Sequence, residues 1–162
     1  METTASIISE KSILVLTDFS NSAKNAADYA LYLSEKLAAN IMLFNAYLIP
    51  DVGFDNWPTG NSSEQSNTSI HHLEEESDRL KRVLESRSSR FIPRIETCSS
   101  EGGIADNVNE IIKDKAKILM VIMGGGKCNG KEDMHFGIEI TEVLVNVKCP
   151  TLIVPNLEFL TF

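Results

Sequence analysis

Two short segments of the sequence carry residue types that could bind a phosphorylated ligand. Asp18 directly follows the apolar run 12–17, and the glycine-rich stretch 124–130 directly follows the apolar run 117–123. Glycines allow backbone amides to approach a phosphate closely, and the start of a following helix adds a favourable dipole. Ligands of open parallel sheets bind beyond the carboxyl ends of the strands. The two segments therefore predict a nucleotide as the ligand to test.

Known phosphate-binding motifs fit the glycine-rich stretch only in part. The spacing over 125–131 matches a P-loop, but Glu132 stands where a Ser or Thr would hold magnesium. Asn129 replaces the last glycine of the dinucleotide-binding fingerprint over 124–129. A carboxylate that faces a phosphate would repel it, so we expect no true P-loop. The missing last glycine makes a dinucleotide site a weaker interpretation still.

The imidazoles and thiols of the chain form no recognised catalytic pattern. The sequence contains no G-x-S-x-G elbow and no C-x-x-C pair. His71 and His72 lie in an acidic helical segment, which favours a solvated helix face over a metal site. Cys128 lies in the glycine-rich stretch near His135, and a thiol–imidazole pair is the alternative to a structural role there. We predict no catalytic residue and no metal ligand.

Size, charge and cysteine content narrow the class of protein. The 162 residues are 43% hydrophobic with a mean hydropathy of -0.07, which suits one compact domain over 1–162. The net charge of -8 disfavours binding to nucleic acid. No apolar run reaches the roughly 18 residues of a membrane helix, and 1–12 does not resemble a signal peptide. Three widely spaced cysteines, Cys98, Cys128 and Cys149, fit a reduced compartment. We expect a cytoplasmic protein without membrane contact.

Apolar runs alternate with helical periodicity along the chain. Strands are predicted at 12–17, 41–47, 91–98, 117–123 and 151–154, the third of them as an edge or short strand because it contains Pro93. Helices are predicted after Ser20 or Asn21, over 70–88, after Gly102-Gly103, and with the inward stripe Ile140, Val143, Leu144 and Val147. This alternation predicts an α/β sandwich with a parallel sheet. Asp18 has a second interpretation, as the cap of the first helix.

Residues 48–69 and 156–162 depart from this alternation. The first segment is rich in Pro, Gly, Asn and Ser, which predicts a long exposed loop. Its Phe54 and Trp57 are either anchors for a partner or rings packed against the domain. The second segment is an apolar tail that a monomer would expose, with Leu157, Phe159, Leu160 and Phe162.

Four segments, in the right order, resemble the universal stress protein family. They are the first strand and helix over 13–30, Glu101-Gly102-Gly103 before the third helix, Val121-Ile122-Met123-Gly124, and the closing segment 147–155. Each segment is weak evidence by itself, but together they cover nearly all of the chain. The sequence is therefore similar to a single module of that family.

The resemblance implies a three-layer, Rossmann-like sandwich with strand order 3-2-1-4-5, in which the first and fourth strands are neighbours. Asp18 and Gly124 would then flank one crevice. In nucleotide-binding members of the family, the aspartate after the first strand contacts adenosine, and the phosphates lie on a loop patterned G-x2-G-x9-G-(S/T). The implied cofactor is ATP, and the implied contacts are Asp18, Met123, Gly124, Lys127, Gly137 and Ile138.

The sequence keeps the spacing of that loop but changes its chemistry. Gly124 and Gly137 match the first and third glycines, whereas Lys127 replaces the second and Ile138 replaces the Ser or Thr. A lysine that must adopt a positive φ costs on the order of 1 kcal/mol. The lost hydroxyl costs roughly 1.5–3 kcal/mol when its acceptor is charged. Lys127 also brings a positive charge that could meet a phosphate. We expect ATP binding to be weakened, by about a hundredfold or more, or absent.

The resulting hypothesis is a stress-response module that acts as a regulatory or nucleotide-sensing dimer. In this family the fifth strand commonly pairs across a homodimer, which fits an edge strand at 151–154 and the apolar tail. The tail alternatively folds back onto the domain or corresponds to the linker of a double-module relative. Two other functions stay open. One is slow ATP hydrolysis, for which no general base is visible, and the other is a pure protein-interaction module with a vestigial crevice.

Overall fold

The computed structural model describes residues 10–48, 62–114, 117–127 and 138–156. All neighbouring strands in these ranges run parallel, and the sheet order is β3-β2-β1-β4-β5. The predicted α/β fold and its strand order are confirmed. Along the chain the elements are β1 (Ser12–Leu16), α1 (Asn21–Leu37), β2 (Asn40–Tyr47), α2 (Ser62–Glu85), β3 (Ile95–Glu101), α3 (Ile104–Asp114), β4 (Ile118–Lys127), α4 (Ile138–Asn146) and β5 (Thr151–Asn156).

The centre of the sheet consists of strands that are apolar on both faces. Leu14 of β1 lies level with Met42 of β2 and Val121 of β4, and all three side chains are buried. One face of the sheet packs against α1 and α2, and the other against α3 and α4. Because the strands are parallel, their carboxyl ends meet at one edge, where the chain passes into each helix.

Helix α1 begins at a serine cap and packs closely on the sheet. The Ser20 side chain accepts a hydrogen bond from the Ala23 amide at 3.2 Å, as predicted for this N-cap. The helix ends where Ala38 adopts a left-handed φ of 50°. Its sheet-facing side carries small residues that allow a close approach, namely Ala23, Ala26, Ala27 and Ala30, all of them buried.

Helix α2 is longer than predicted. It begins at Ser62 instead of Ile70, so the second part of the predicted loop 48–69 is helical, while 49–61 lie outside the described residues. The polar composition of this stretch concealed the helix, because Ser, Asn and Thr side chains compete for backbone hydrogen bonds. Ser69 is buried and hydrogen-bonds to β2 and β3. Tertiary contacts therefore support a turn of helix that local propensity disfavours.

Strand β3 begins after Pro93, whereas the predicted third strand contains this proline. It runs from Ile95 to Glu101, so the predicted strand 91–98 was placed too early. Proline has no amide hydrogen for the ladder, and Pro93 accordingly lies before the strand. The prediction of an edge strand is confirmed, because β3 ends the sheet order next to β2.

The last helix buries a narrower stripe than predicted. Ile140 and Val143 of α4 are buried, but Leu144 is 51% exposed, so its predicted inward position is wrong. The tail residues 157–162 lie outside the described part of the chain. None of the helices in the described ranges combines the length and apolarity needed to cross a membrane.

Candidate functional site

The turn after β1 presents the Asp18 carboxylate to solvent at the carboxyl edge of the sheet. Asp18 Oδ1 accepts a hydrogen bond from the Ser20 amide at 3.0 Å, and Thr17 Oγ1 accepts one from the Phe19 amide at 3.0 Å. Phe19 has a φ of 65°, in the left-handed region that residues other than glycine rarely adopt. The N-cap of α1 is Ser20. Asp18 therefore shapes the turn before the helix, and its exposed carboxylate can still accept hydrogen bonds from a ligand.

Strand β4 lies beside β1, so the segment that follows Ile122 extends toward the same edge as Asp18. Ile122 pairs with Val15, which brings Met123 level with the end of β1. The Met123 side chain is buried in the core between the sheet and helices α3 and α4. The Met123 side chain is therefore not available to a ligand, and a ligand at this edge would meet only the Met123 backbone.

Gly124 is packed against the first turn of α1. A Cβ built at Gly124 would lie 2.5 Å from Ser22 Oγ and 2.6 Å from both the carbonyl carbon and the carbonyl oxygen of Ser22. The Ser22 hydroxyl donates a hydrogen bond to the carbonyl oxygen of Gly125. Glycine is therefore required at this position by protein packing, whatever the position does for a ligand.

The predicted glycine loop begins later than the sequence indicated. Gly124, Gly125 and Gly126 belong to β4, which was expected to end at Met123. Gly124 pairs with Val154 of β5, and the pairing resumes after a register shift at Lys127. Such a shift bends the strand and leaves a residue unpaired. Residues 124–126, which were predicted to begin a loop, therefore form the last part of a strand.

Two of the remaining predicted contacts, Lys127 and Ile138, border a segment outside the described residues, and the third, Gly137, belongs to that segment. The backbone of Lys127 ends β4, and that of Ile138 begins α4. Gly137 lies outside the described residues, as do Cys128 and His135. β1 and β4 are neighbours, so Asp18, which follows β1, and Gly124, in the second half of β4, lie toward the same edge of the sheet.

A polar chain beneath this edge was missed by the sequence analysis. The Asn45 side chain donates to the Thr17 carbonyl at 2.7 Å and accepts from Ser69 Oγ at 2.7 Å. Ser69 Oγ also lies 2.6 Å from Ser99 Oγ. These contacts join the ends of β1, β2 and β3 to α2, and they support the turn that carries Asp18. An asparagine within the apolar run 41–47 was the signal that could have revealed them.

Histidines on α2 lie near the Asp18 turn. The His72 ring packs against the Phe19 ring with centroids 5.1 Å apart. Glu75 carboxylate oxygens lie 3.3 Å from His71 Nε2 and from His72 Nδ1. All three side chains are well exposed, which fits a charged, solvated helix face. Within the described ranges, no three His, Cys, Asp or Glu side chains converge as a metal site would require.

The two cysteines in the described part of the chain are half-buried thiols. Burial raises the pKa of the Cys149 thiol above its ordinary value. The Cys149 thiol lies 3.9 Å from the Ile118 carbonyl oxygen. A raised pKa lowers the fraction of thiolate at neutral pH, so Cys149 is a poor nucleophile and suits a packing role.

The sequence matches the model of the universal stress protein family over residues 10–155. The chain belongs to the universal stress protein family. The comparison with curated protein sequences gives no match.

Solved structures of universal stress proteins share the fold of this chain at low sequence identity. The universal stress protein UspA from Lactobacillus plantarum is 18% identical, with a TM-score of 0.69 over 90% of this chain and 97% of that one. A universal stress protein in complex with cAMP is 21% identical, with a TM-score of 0.63 over 90% of this chain and 96% of that one. One from Archaeoglobus fulgidus, in complex with dAMP, is 12% identical, with a TM-score of 0.61 over 88% and 96% of the two chains.

Proposed function

We propose that this universal stress protein is a nucleotide-sensing regulatory module that favours an adenosine monophosphate over ATP. Two fold neighbours are described as complexes with cAMP and dAMP, which are both monophosphates. The exposed Asp18 carboxylate beside the end of β4 offers an acceptor for the hydroxyls of a ribose. This half of the crevice matches the family pattern, whereas the phosphate-binding half matches it at only two of four positions, Gly124 and Gly137.

The packing of Gly124 against Ser22 is the observation that carries the proposal. The Ser22 hydroxyl donates its hydrogen bond to the Gly125 carbonyl and so is not available to a phosphate, and the Ser22 backbone fills the space directly over Gly124. In the proposed site a phosphate binds further along the chain, toward Lys127 and Ile138. There, the sequence lacks the second glycine and the hydroxyl donor of the family pattern. A single phosphate places less demand on these positions than three phosphates do.

Restoring the loop chemistry tests this proposal. We expect the double variant Lys127→Gly and Ile138→Ser to bind MgATP about tenfold more tightly or better, because it regains a donor to a charged acceptor. Isothermal titration with MgATP, AMP and cAMP measures the effect. AMP affinity is expected to change much less than ATP affinity.

A second variant, Asp18→Asn, tests the ribose-binding half of the site. It keeps an oxygen for the Ser20 amide and so preserves the turn. It is expected to weaken AMP binding about tenfold, because a hydrogen bond to a charged acceptor is lost. Low-micromolar binding of MgATP by the unmodified protein would refute weakened ATP affinity. Absence of any nucleotide binding would favour a protein-interaction module.

We further propose that the module acts as a homodimer through the edge that β5 forms. β5 is at the end of the sheet order, so one side of its backbone has no partner strand among the described residues. Leu152 on β5 is 36% exposed, and Leu144 and Val145 on α4 are 51% and 76% exposed. An exposed strand edge beside exposed aliphatic side chains favours pairing with a second copy.

Light scattering at tens of micromolar tests the dimer. The unmodified protein is expected at twice the chain mass of 17.9 kDa, and the variant Val145→Glu with Leu152→Glu at the chain mass. Charges at an apolar interface cannot be desolvated cheaply, so the dimer dissociates. Ile92→Glu is the matched control, because Ile92 is 77% exposed at the opposite end of the sheet. A monomeric unmodified protein would contradict this proposal.

A further inference from the structure

The opposite edge of the sheet, formed by β3, presents unpaired backbone groups. The Arg94 carbonyl accepts from the Ile41 amide at 2.9 Å, and the Gly102 amide donates to the Tyr47 carbonyl at 3.0 Å. The backbone N–H and C=O groups of the even-numbered residues of β3 therefore point toward β2. Those of Ile95, Thr97 and Ser99 point away from the sheet, because these groups alternate in direction along a strand. No described strand pairs with that side. Such an edge can accept a further strand.

A cleft of about 340 Å³ lies between β3 and α3, directly beside this edge. Met42 and Ile111 contribute apolar surface to it, and Ser100 and Asn107 lie toward the carboxyl end of β3. The full lining is Met42, Glu96, Thr97, Cys98, Ser100, Asn107, Glu110, Ile111 and Asp114. Its volume is sufficient for one long side chain with its flanking backbone.

The cleft is electronegative. Three carboxylates line it, from Glu96, Glu110 and Asp114, whereas no lysine or arginine does. Arg94 pairs with Glu96 at 3.3 Å and Lys113 with Glu110 at 3.6 Å, so these five side chains carry three negative and two positive charges. Both pairs are solvent-exposed and weak, so an incoming cation can replace either basic partner. Asp114 is the last residue of α3, where the helix dipole is negative. Carboxylates at that end add to the negative potential, so the cleft attracts a cation.

We propose that the β3 edge binds an extended segment of a partner protein as an added strand, with a lysine or arginine side chain in the cleft between β3 and α3. Backbone hydrogen bonds supply affinity in this recognition mode, and a pocket for alternate side chains supplies specificity. A second copy of this chain fits poorly, because its own β3 would bring Glu96 and Glu101 to the same carboxylates. A negative cleft also repels nucleic acid and anionic lipid. This edge is separate from the nucleotide crevice, so the two proposals fail independently.

The first test compares two labelled peptides by fluorescence anisotropy. One is an octapeptide of alternating lysine and valine, and the other has glutamate in place of lysine. The basic peptide is expected to bind, and the acidic peptide is not. The triple variant Glu96→Gln, Glu110→Gln and Asp114→Asn is expected to weaken binding about tenfold or more. The matched control, Glu64→Gln, Glu74→Gln and Glu85→Gln, removes the same charge from α2 and should leave most of the affinity.

The second test addresses the backbone pairing. Thr97→Pro removes an outward amide without removing a bond to β2, so it is expected to abolish binding while circular dichroism stays unchanged. N-methylation of alternate residues of the basic peptide tests the same bonds without altering the protein. Methylation of one alternating set should abolish binding, and methylation of the other set should not. Equal binding of both peptides, equal loss in both triple variants, or tolerance of both methylated sets would overturn the proposal.

Discussion

Replacing Gly124 with alanine is expected to lower the free energy of unfolding by about 3 kcal/mol, the upper range for overpacking a core. The added Cβ would lie 2.5–2.6 Å from Ser22 atoms, two of which are backbone atoms of the first turn of α1. Backbone cannot rotate away as a side chain can, so the helix must shift on the sheet. That shift also removes the hydrogen bond from Ser22 to the Gly125 carbonyl.

Urea denaturation of the Gly124→Ala variant measures this loss. Gly103→Ala is the matched control, because its Cβ would meet its nearest atom, Glu142 Oε1, at 3.6 Å. The Gly103 carbonyl accepts a hydrogen bond from the Asn107 amide at the start of α3. Gly103→Ala changes this N-cap position and should lower the free energy of unfolding by only about 1 kcal/mol or less. Equal stability of the two variants would show that Gly124 is not held by packing.

Replacing Arg79 with methionine is expected to lower the free energy of unfolding by about 2–3 kcal/mol, because it leaves a buried carboxylate without its cation. Arg79 donates to both carboxylate oxygens of Glu76, at 2.6 and 2.9 Å, and to Asp28 Oδ1 at 2.8 Å. The Glu76 side chain is only 4% exposed. Hydrogen bonds to Glu76 and Asp28 raise the pKa of Arg79 further above its ordinary value, so the cation is present at every working pH. The expected loss in the free energy of unfolding is smaller than the usual cost of breaking a buried ion pair, because Arg79 is 27% exposed.

A second substitution identifies the cause of the lost stability. The double variant Arg79→Met with Glu76→Leu should recover most of the lost stability at neutral pH. Lys81→Met, which removes an exposed cation from the same helix, should change stability little. If the double variant stays as unstable as Arg79→Met, the loss comes from missing packing of the arginine stem instead.

The strands and the first helix could be predicted from local pattern. The apolar run that includes Ile13, Leu14 and Val15 has no polar face, which is typical of a strand buried on both sides. The Ser20 cap and the alanine row of α1 were equally readable. In contrast, the first turns of α2 were missed, because their serines and asparagine have low helix propensity and are supported by a contact from Ser69 to Asn45. Propensity is a weak prior that tertiary contacts override.

The candidate site was predictable at one residue and misread at another. Asp18 could be placed because it ends an apolar run, and the edge of a parallel sheet collects such ends. Gly124 was expected to serve a phosphate, but its first constraint is the backbone of Ser22, a residue 102 positions earlier in the chain. The asparagine and serine side chains beneath the Asp18 turn come from three separate elements, so no local motif marks them.

The sequence by itself determined the alternation of strands and helices, the apolar character of the central strands, the N-cap of α1 and the position of Asp18 at a strand end. These features depend on periodicity and on neighbours within a few residues, which any single segment contains. Only the tertiary structure decided that Gly124 packs on α1, that Asn45 supports the Asp18 turn, and that an acidic cleft opens beside β3. Each of these depends on which strands become neighbours, and contacts between distant segments exist only after the sheet has assembled.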